Sequence, residues 1–108
     1  MPLADDIRYD RLCRTSSSEA YLLSQQDEPV GRLELHFTSD VVYGLLVLER
    51  DAPEAEILEL IEKIDEDLAC SADSARDDFL VTVYQGRQVL VHSDDDYENE
   101  TDGDGQTE

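Results

Sequence analysis

Residues 41–70 read VVYGLLVLERDAPEAEILELIEKIDEDLAC, and the change of period inside this stretch decides the fold. Val41 to Leu48 is an unbroken apolar run of strand length, hydrophobic on both faces. From Pro53 to about Cys70 the pattern changes. Ile57, Leu60, Ile61, Ile64 and Leu68 recur at three- and four-residue spacing, which is the single apolar stripe of an amphipathic helix. Asp51 followed three residues later by Glu54 resembles a capping box, and Pro53 sits in the first turn, where a missing N–H does no harm. At about 100° per residue, Glu59, Glu62 and Glu66 fall opposite Ile57 and Ile61, with Lys63 among them. The outward face of the helix is therefore a row of carboxylates.

Upstream, Val30 to Thr38 alternates Leu33, Leu35 and Phe37 with Arg32, Glu34 and His36, a strand with one buried and one wet face. Thr38-Ser39-Asp40 turns it into the apolar run. Gln26-Asp27-Glu28-Pro29 turns an earlier strand, Ala20 to Ser24, into the same sheet. Downstream, Phe79 to Tyr84 and Gln88 to His92 flank Gln85-Gly86-Arg87, a glycine-bearing hairpin signal. The expected class is α+β: an antiparallel sheet of about five strands in the order β-β-β-α-β-β, with one amphipathic helix on one face. Residues 7–14 supply a short extra strand or a helical turn. Residues 1–93 form one domain, and 94–108 form an acidic tail expected to be disordered.

A lone helix stripe covers only one face of such a sheet, yet the run from Val41 to Leu48 is apolar on both. Either Val42, Leu46 and Leu48 or Val41, Tyr43, Leu45 and Val47 must bury against something else. A homodimer interface through Val41, Tyr43, Leu45 and Val47 is the favoured expectation. In the alternative, Leu3, Ile7, Tyr9 and Leu12 fold back over that face.

The chain of 108 residues carries 28 acids and 8 bases, a net charge of −20, and Lys63 is its one lysine. Residues 94–108 hold eight acids, no base and no aliphatic side chain, a composition that cannot form a core. Residues 1–93 then keep 20 acids against 8 bases, about −12. Such a surface repels nucleic acid and anionic membrane, so neither is expected as a direct ligand, and a basic protein is the natural partner. The apolar runs fall far short of the roughly 18 residues of a membrane helix, and the N-terminus lacks the basic and apolar regions of a secretory signal. A soluble, cytoplasmic protein is expected. Cys13 and Cys70 show no redox or zinc spacing and are expected to be small apolar side chains.

Motifs for chemistry are missing. The sequence contains no G-x-S-x-G elbow, no glycine-rich phosphate loop and no H-E-x-x-H or paired-cysteine zinc pattern. His36 and His92 sit on predicted strands, where surface or structural roles are expected. Glu98, Glu100, Asp102 and Gly103 imitate part of a calcium loop, but the first ligand is Glu rather than Asp and no helices flank the run. No catalytic residue, metal or cofactor is expected, and the chain is not read as an enzyme. Asp65, Glu66 and Asp67 do break a rule, because anions at a helix C-terminus oppose the macrodipole.

The functional expectation is a small acidic module that masks, inhibits or chaperones a basic partner through Glu59, Glu62 and Glu66 together with Asp94, Asp95 and Asp96 of the tail. Two alternatives are a DNA mimic that inhibits a nucleic-acid-binding protein, and a non-catalytic structural subunit from a salt-adapted proteome. The order of elements is loosely similar to the core of type III secretion chaperones, which are small, acidic and dimeric. That family's N-terminal helix is not evident here.

Overall fold

The computed structural model describes residues 2–69 and 78–94, and within them the two apolar periodicities become a sheet and a helix. The elements are β1 (Ile7–Arg14), β2 (Ser18–Gln25), β3 (Glu28–Phe37), β4 (Val41–Leu48), α1 (Glu54–Ile64), a π-helical turn (Asp65–Ala69) and β5 (Asp78–Gln85). The strands lie in the order β1-β2-β3-β4-β5. The architecture is α+β, as expected. The first three pairings are antiparallel, while β5 runs parallel to β4, with Val42 opposite Phe79 and Leu48 opposite Gln85. A chain that crosses back over the sheet before re-entering it must run parallel to the strand it left.

The count of about five strands holds, but four precede the helix and one follows it. Residues 7–14 form a complete edge strand. Gln88 to His92 do not pair, and no hairpin forms around Gly86. The backbone N–H of Gly86 instead donates to the carbonyl of Leu48 at 2.8 Å, extending the β4–β5 ladder by one step. Neither Gly86 nor its neighbours adopt the left-handed conformation that a two-residue hairpin needs. The β2–β3 connection does: Gln26 and Asp27 have φ of 52° and 67° between the paired Gln25 and Glu28. Pro29 belongs to β3 and lies at a register shift opposite Ser24, where a missing N–H is tolerated.

The helix decides which face of β4 is inward. Val42, Leu46 and Leu48 are buried with Val30, Leu33 and Leu35 of β3, Tyr21 and Leu23 of β2, and Leu60 and Ile64 of α1. Gly44 shares that inward face, and a Cβ there would lie 3.2 Å from the Phe79 ring, so its absence gives β5 room to pack. At the helix start the capping box does not form. Pro53 is itself the N-cap residue and offers no side-chain bond, which leaves Asp51 outside the helix. Its carboxylate accepts a hydrogen bond from Gln85 Nε2, tying the helix entry to the end of β5.

The N-terminal residues pack on the helix side rather than over the outer face, which corrects the fold-back alternative. Leu3 is buried, Ile7 and Tyr9 flank the same core, and Leu12 remains exposed beside a bulge in β1. The buried Gln25 amide holds this arrangement. Its Nε2 donates to the carbonyls of Pro2 (2.6 Å) and Asp5 (2.8 Å), and its Oε1 accepts from Arg50 Nη1 at 2.8 Å. Cys13 is exposed on the outer edge strand, not an apolar core side chain, and Cys70 lies outside the described residues.

Two predictions follow from this packing. A Cβ on Gly31 would lie 2.1 Å from the backbone carbonyl oxygen of Val47, so Gly31→Ala separates β3 from β4 and lowers stability by about 3 kcal/mol in chemical denaturation. Tyr9 donates to Asp67 Oδ2 at 2.8 Å; burial first, then this carboxylate, holds the phenol well above its usual pKa of 10.0. Because the folded protein favours the neutral phenol, that stability is intact below pH 10 and declines as pH rises above it. Tyr9→Phe costs about 1 kcal/mol at neutral pH and flattens the alkaline limb of a pH–stability profile. The Tyr21 phenol, raised by burial and by its bond to Glu19, keeps part of that limb.

Candidate functional site

Burial of Leu60 and Ile64 orients α1 so that Glu59 and Glu62 point away from the sheet, Glu66 follows in the π-helical turn, and all three are exposed. At 1.5 Å rise per residue the row spans roughly 10 Å. None of the three carboxylates makes an ion pair or hydrogen bond among the described residues. Leu58, half-exposed, stands one turn before Glu62 and places an apolar side chain beside the row, a feature the charge pattern concealed.

Asp67 is different. Lys63 Nζ lies 3.2 Å from its Oδ2, the same oxygen that accepts from Tyr9. The acidic crowding at the helix end is thus compensated at Asp67, partly by a residue 58 positions away in sequence, and the rule it broke is locally repaired. Lys63 is drawn toward Asp67, which leaves the row itself purely anionic.

The second surface is the outer face of the sheet. Across β3, β4 and β5, Arg32, Val47 and Tyr84 form one cross-strand row, Glu34, Leu45 and Thr82 a second, and His36, Tyr43 and Leu80 a third. Tyr43, Leu80 and Tyr84 are each about half-exposed, and Val41, Leu45 and Val47 are partly so. No described element lies over them. The four residues named from sequence as an interface therefore share one uncovered apolar band, widened by Leu80 and Tyr84, whose place beside β4 depends on the parallel register. Leu22 on β2 adds to it.

Toward β1 the same face becomes ionic. Arg32 Nε lies 3.3 Å from Glu34 Oε2, His36 Nε2 lies 3.5 Å from Glu34 Oε1, and Arg8 Nη2 lies 3.1 Å from Asp10 Oδ1. A groove of about 500 Å³ opens at the junction, lined among others by Leu22, Arg32, Val47, Gly86 and Arg87. Asp94 is exposed and lies 3.5 Å from His92 Nε2, whereas Asp95 and Asp96 lie outside the described residues. His92 is not on a strand.

The carboxylate row and the apolar band thus face opposite directions, separated by the core. Among the described residues no group of three His, Cys, Asp or Glu side chains is placed to hold a metal ion, and no helix is long and apolar enough to cross a membrane. Comparisons with protein-family models, with curated proteins and with solved structures find no match.

Among the described residues the row makes no ion pair or hydrogen bond that supports the fold, and its charges repel one another at helical spacing. Replacing Glu59, Glu62 and Glu66 together by Gln should leave the thermal midpoint unchanged or raise it slightly, with each site worth less than about 0.5 kcal/mol. A marked drop in the midpoint would show that the row is structural.

Proposed function

We propose that this chain is a non-catalytic, cytoplasmic protein-binding module that pairs with a second copy through the outer sheet face and receives a basic partner on the carboxylate face of α1. The observation that carries this reading is the opposed direction of the two surfaces. An uncovered apolar band on one side and an unpaired anionic row on the other can be occupied simultaneously without competing. The two differ in what they supply: apolar burial anchors a long-lived contact, whereas complementary charge speeds encounter and rejects anionic competitors. Masking, inhibiting or chaperoning the basic partner are the roles such a surface serves.

Duplex mimicry is a weaker reading on the same residues. A row of three charges over roughly 10 Å is sparse beside a duplex that carries one charge per about 1.7 Å of axis.

The test is a pull-down from native lysate at low and moderate salt, using the intact chain, a chain truncated after Ser93, and the chain carrying Gln at 59, 62 and 66. The intact chain should enrich basic proteins that the Gln variant loses, with an intermediate yield for the truncation. Equal capture by all three would sink the electrostatic part of the reading. Selective capture of nucleic-acid-binding proteins, abolished between the two salt concentrations, would favour mimicry instead.

A further inference from the structure

The chain that leaves β5 exposes three consecutive apolar side chains. Val89 is 91% exposed, Leu90 77% and Val91 69%, in a segment that pairs with no described strand. Isolated exposed hydrophobics are ordinary, but three in succession beside an uncovered apolar face of the same molecule are not. We infer that this segment, Gln88 to His92, is an arm that docks on the outer sheet face of a second copy, where Tyr43, Leu45, Leu80 and Tyr84 receive it, and that two copies exchange arms reciprocally. The inference rests on the dimer proposed above and names what lies in its interface.

Direction is the first reason that the arm serves another copy. Gly86 continues the β4–β5 ladder, and none of residues 86–88 takes the left-handed conformation of a tight reversal. The arm's first residues border the groove beside Arg32 and Val47 of the same chain, yet Val89, Leu90 and Val91 all stay well exposed, so the arm does not cover its own outer face. The second reason is symmetry. Among the described residues neither arm nor face has a partner, and a two-fold exchange covers both with one self-complementary contact.

Charge supplies the third reason and fixes the arm's course. Asp94, Asp95, Asp96, Glu98 and Glu100 follow the arm with no base among them. The arginines Arg32 and Arg8 of the outer face lie on β3 and β1, beyond the apolar band. Five extended residues span about 16 Å, and β5 to β3 is two strand spacings, roughly 10 Å. An arm crossing the band from β5 toward β3 thus sets Val89, Leu90 and Val91 on apolar side chains and brings Asp94, which follows it, toward Arg32.

The test is oligomeric state by sedimentation velocity, with circular dichroism to confirm folding. The full chain should sediment as a dimer, and Leu90→Asp and Tyr43→Asp should each sediment as monomers. If Tyr43→Asp fails to fold, Tyr84→Asp on the edge strand takes its place. An equimolar mixture of the arm variant and the face variant retains one intact arm–face pair and should re-form a one-to-one dimer. A photo-cross-linker at Val91 of the full chain should link to residues 43, 45 or 80 of a different copy, identified by mixing isotopically labelled and unlabelled chains. A dimer that survives Leu90→Asp but not Tyr43→Asp overturns the arm while leaving the face-mediated dimer in place. A monomeric full chain overturns both, as do cross-links confined to a single chain for the arm alone.

Discussion

One helix stripe buried against one face of the sheet is the constraint on which the rest depends. Leu60 and Ile64 close over Leu33, Leu46 and Val42, and each such side chain removed from water is worth about 1.5–3 kcal/mol. Exposed ion pairs such as Arg8–Asp10 contribute between nothing and about 1 kcal/mol. Apolar burial therefore sets the architecture even in a chain of this charge. The crossover that seats α1 also forces β5 to enter parallel to β4, and that register brings Leu80 and Tyr84 beside Tyr43 and Val47. The uncovered face is a by-product of how the covered one is built.

Elements whose physics is local were legible in the sequence. The 3.6-residue stripe of α1, the alternation of β3 and the length of β4 each encode burial within one segment, and the structure places all three where the pattern does. β1 was legible only in part, because an edge strand with Arg8, Asp10, Arg11 and Arg14 has no clean alternation to display. Gln88 to His92 showed the composition of a strand but pairs with no described strand, and pairing is a property of the whole sheet. The Asp51 cap was displaced by Pro53, whose own position at the N-cap excludes a side-chain bond.

The candidate surfaces divide in the same way. The outward row of Glu59, Glu62 and Glu66 follows from helical geometry alone, and the stripe of Val41, Tyr43, Leu45 and Val47 from strand alternation. What the sequence concealed was the fate of Asp67, which depends on Tyr9, and the polar anchor at Gln25, whose partners Pro2, Asp5 and Arg50 are scattered along the chain. A buried amide with both donors and its acceptor satisfied is a specific join, because losing any one partner leaves a desolvated polar group worth about 1–3 kcal/mol. It fixes the N-terminal turn on the helix side, and so keeps the outer face free.

Charge is sorted by the same geometry. Lys63 is committed to Asp67, while Arg8, Arg32 and His36 lie among acids on the far side of the sheet. At physiological salt, charges more than about 8 Å apart at the surface scarcely sense each other. The two faces therefore act as separate electrostatic surfaces despite one net charge of −20. The helix side is predominantly negative, with Lys63 held at Asp67, and the sheet side is mixed and largely apolar. A second highly acidic chain can approach only where negative charge is locally low, and in this fold that place is the outer sheet face. Global acidity thus leaves the outer sheet face as the place where the approach of a like-charged chain is least opposed, and turns the carboxylate row outward toward solvent.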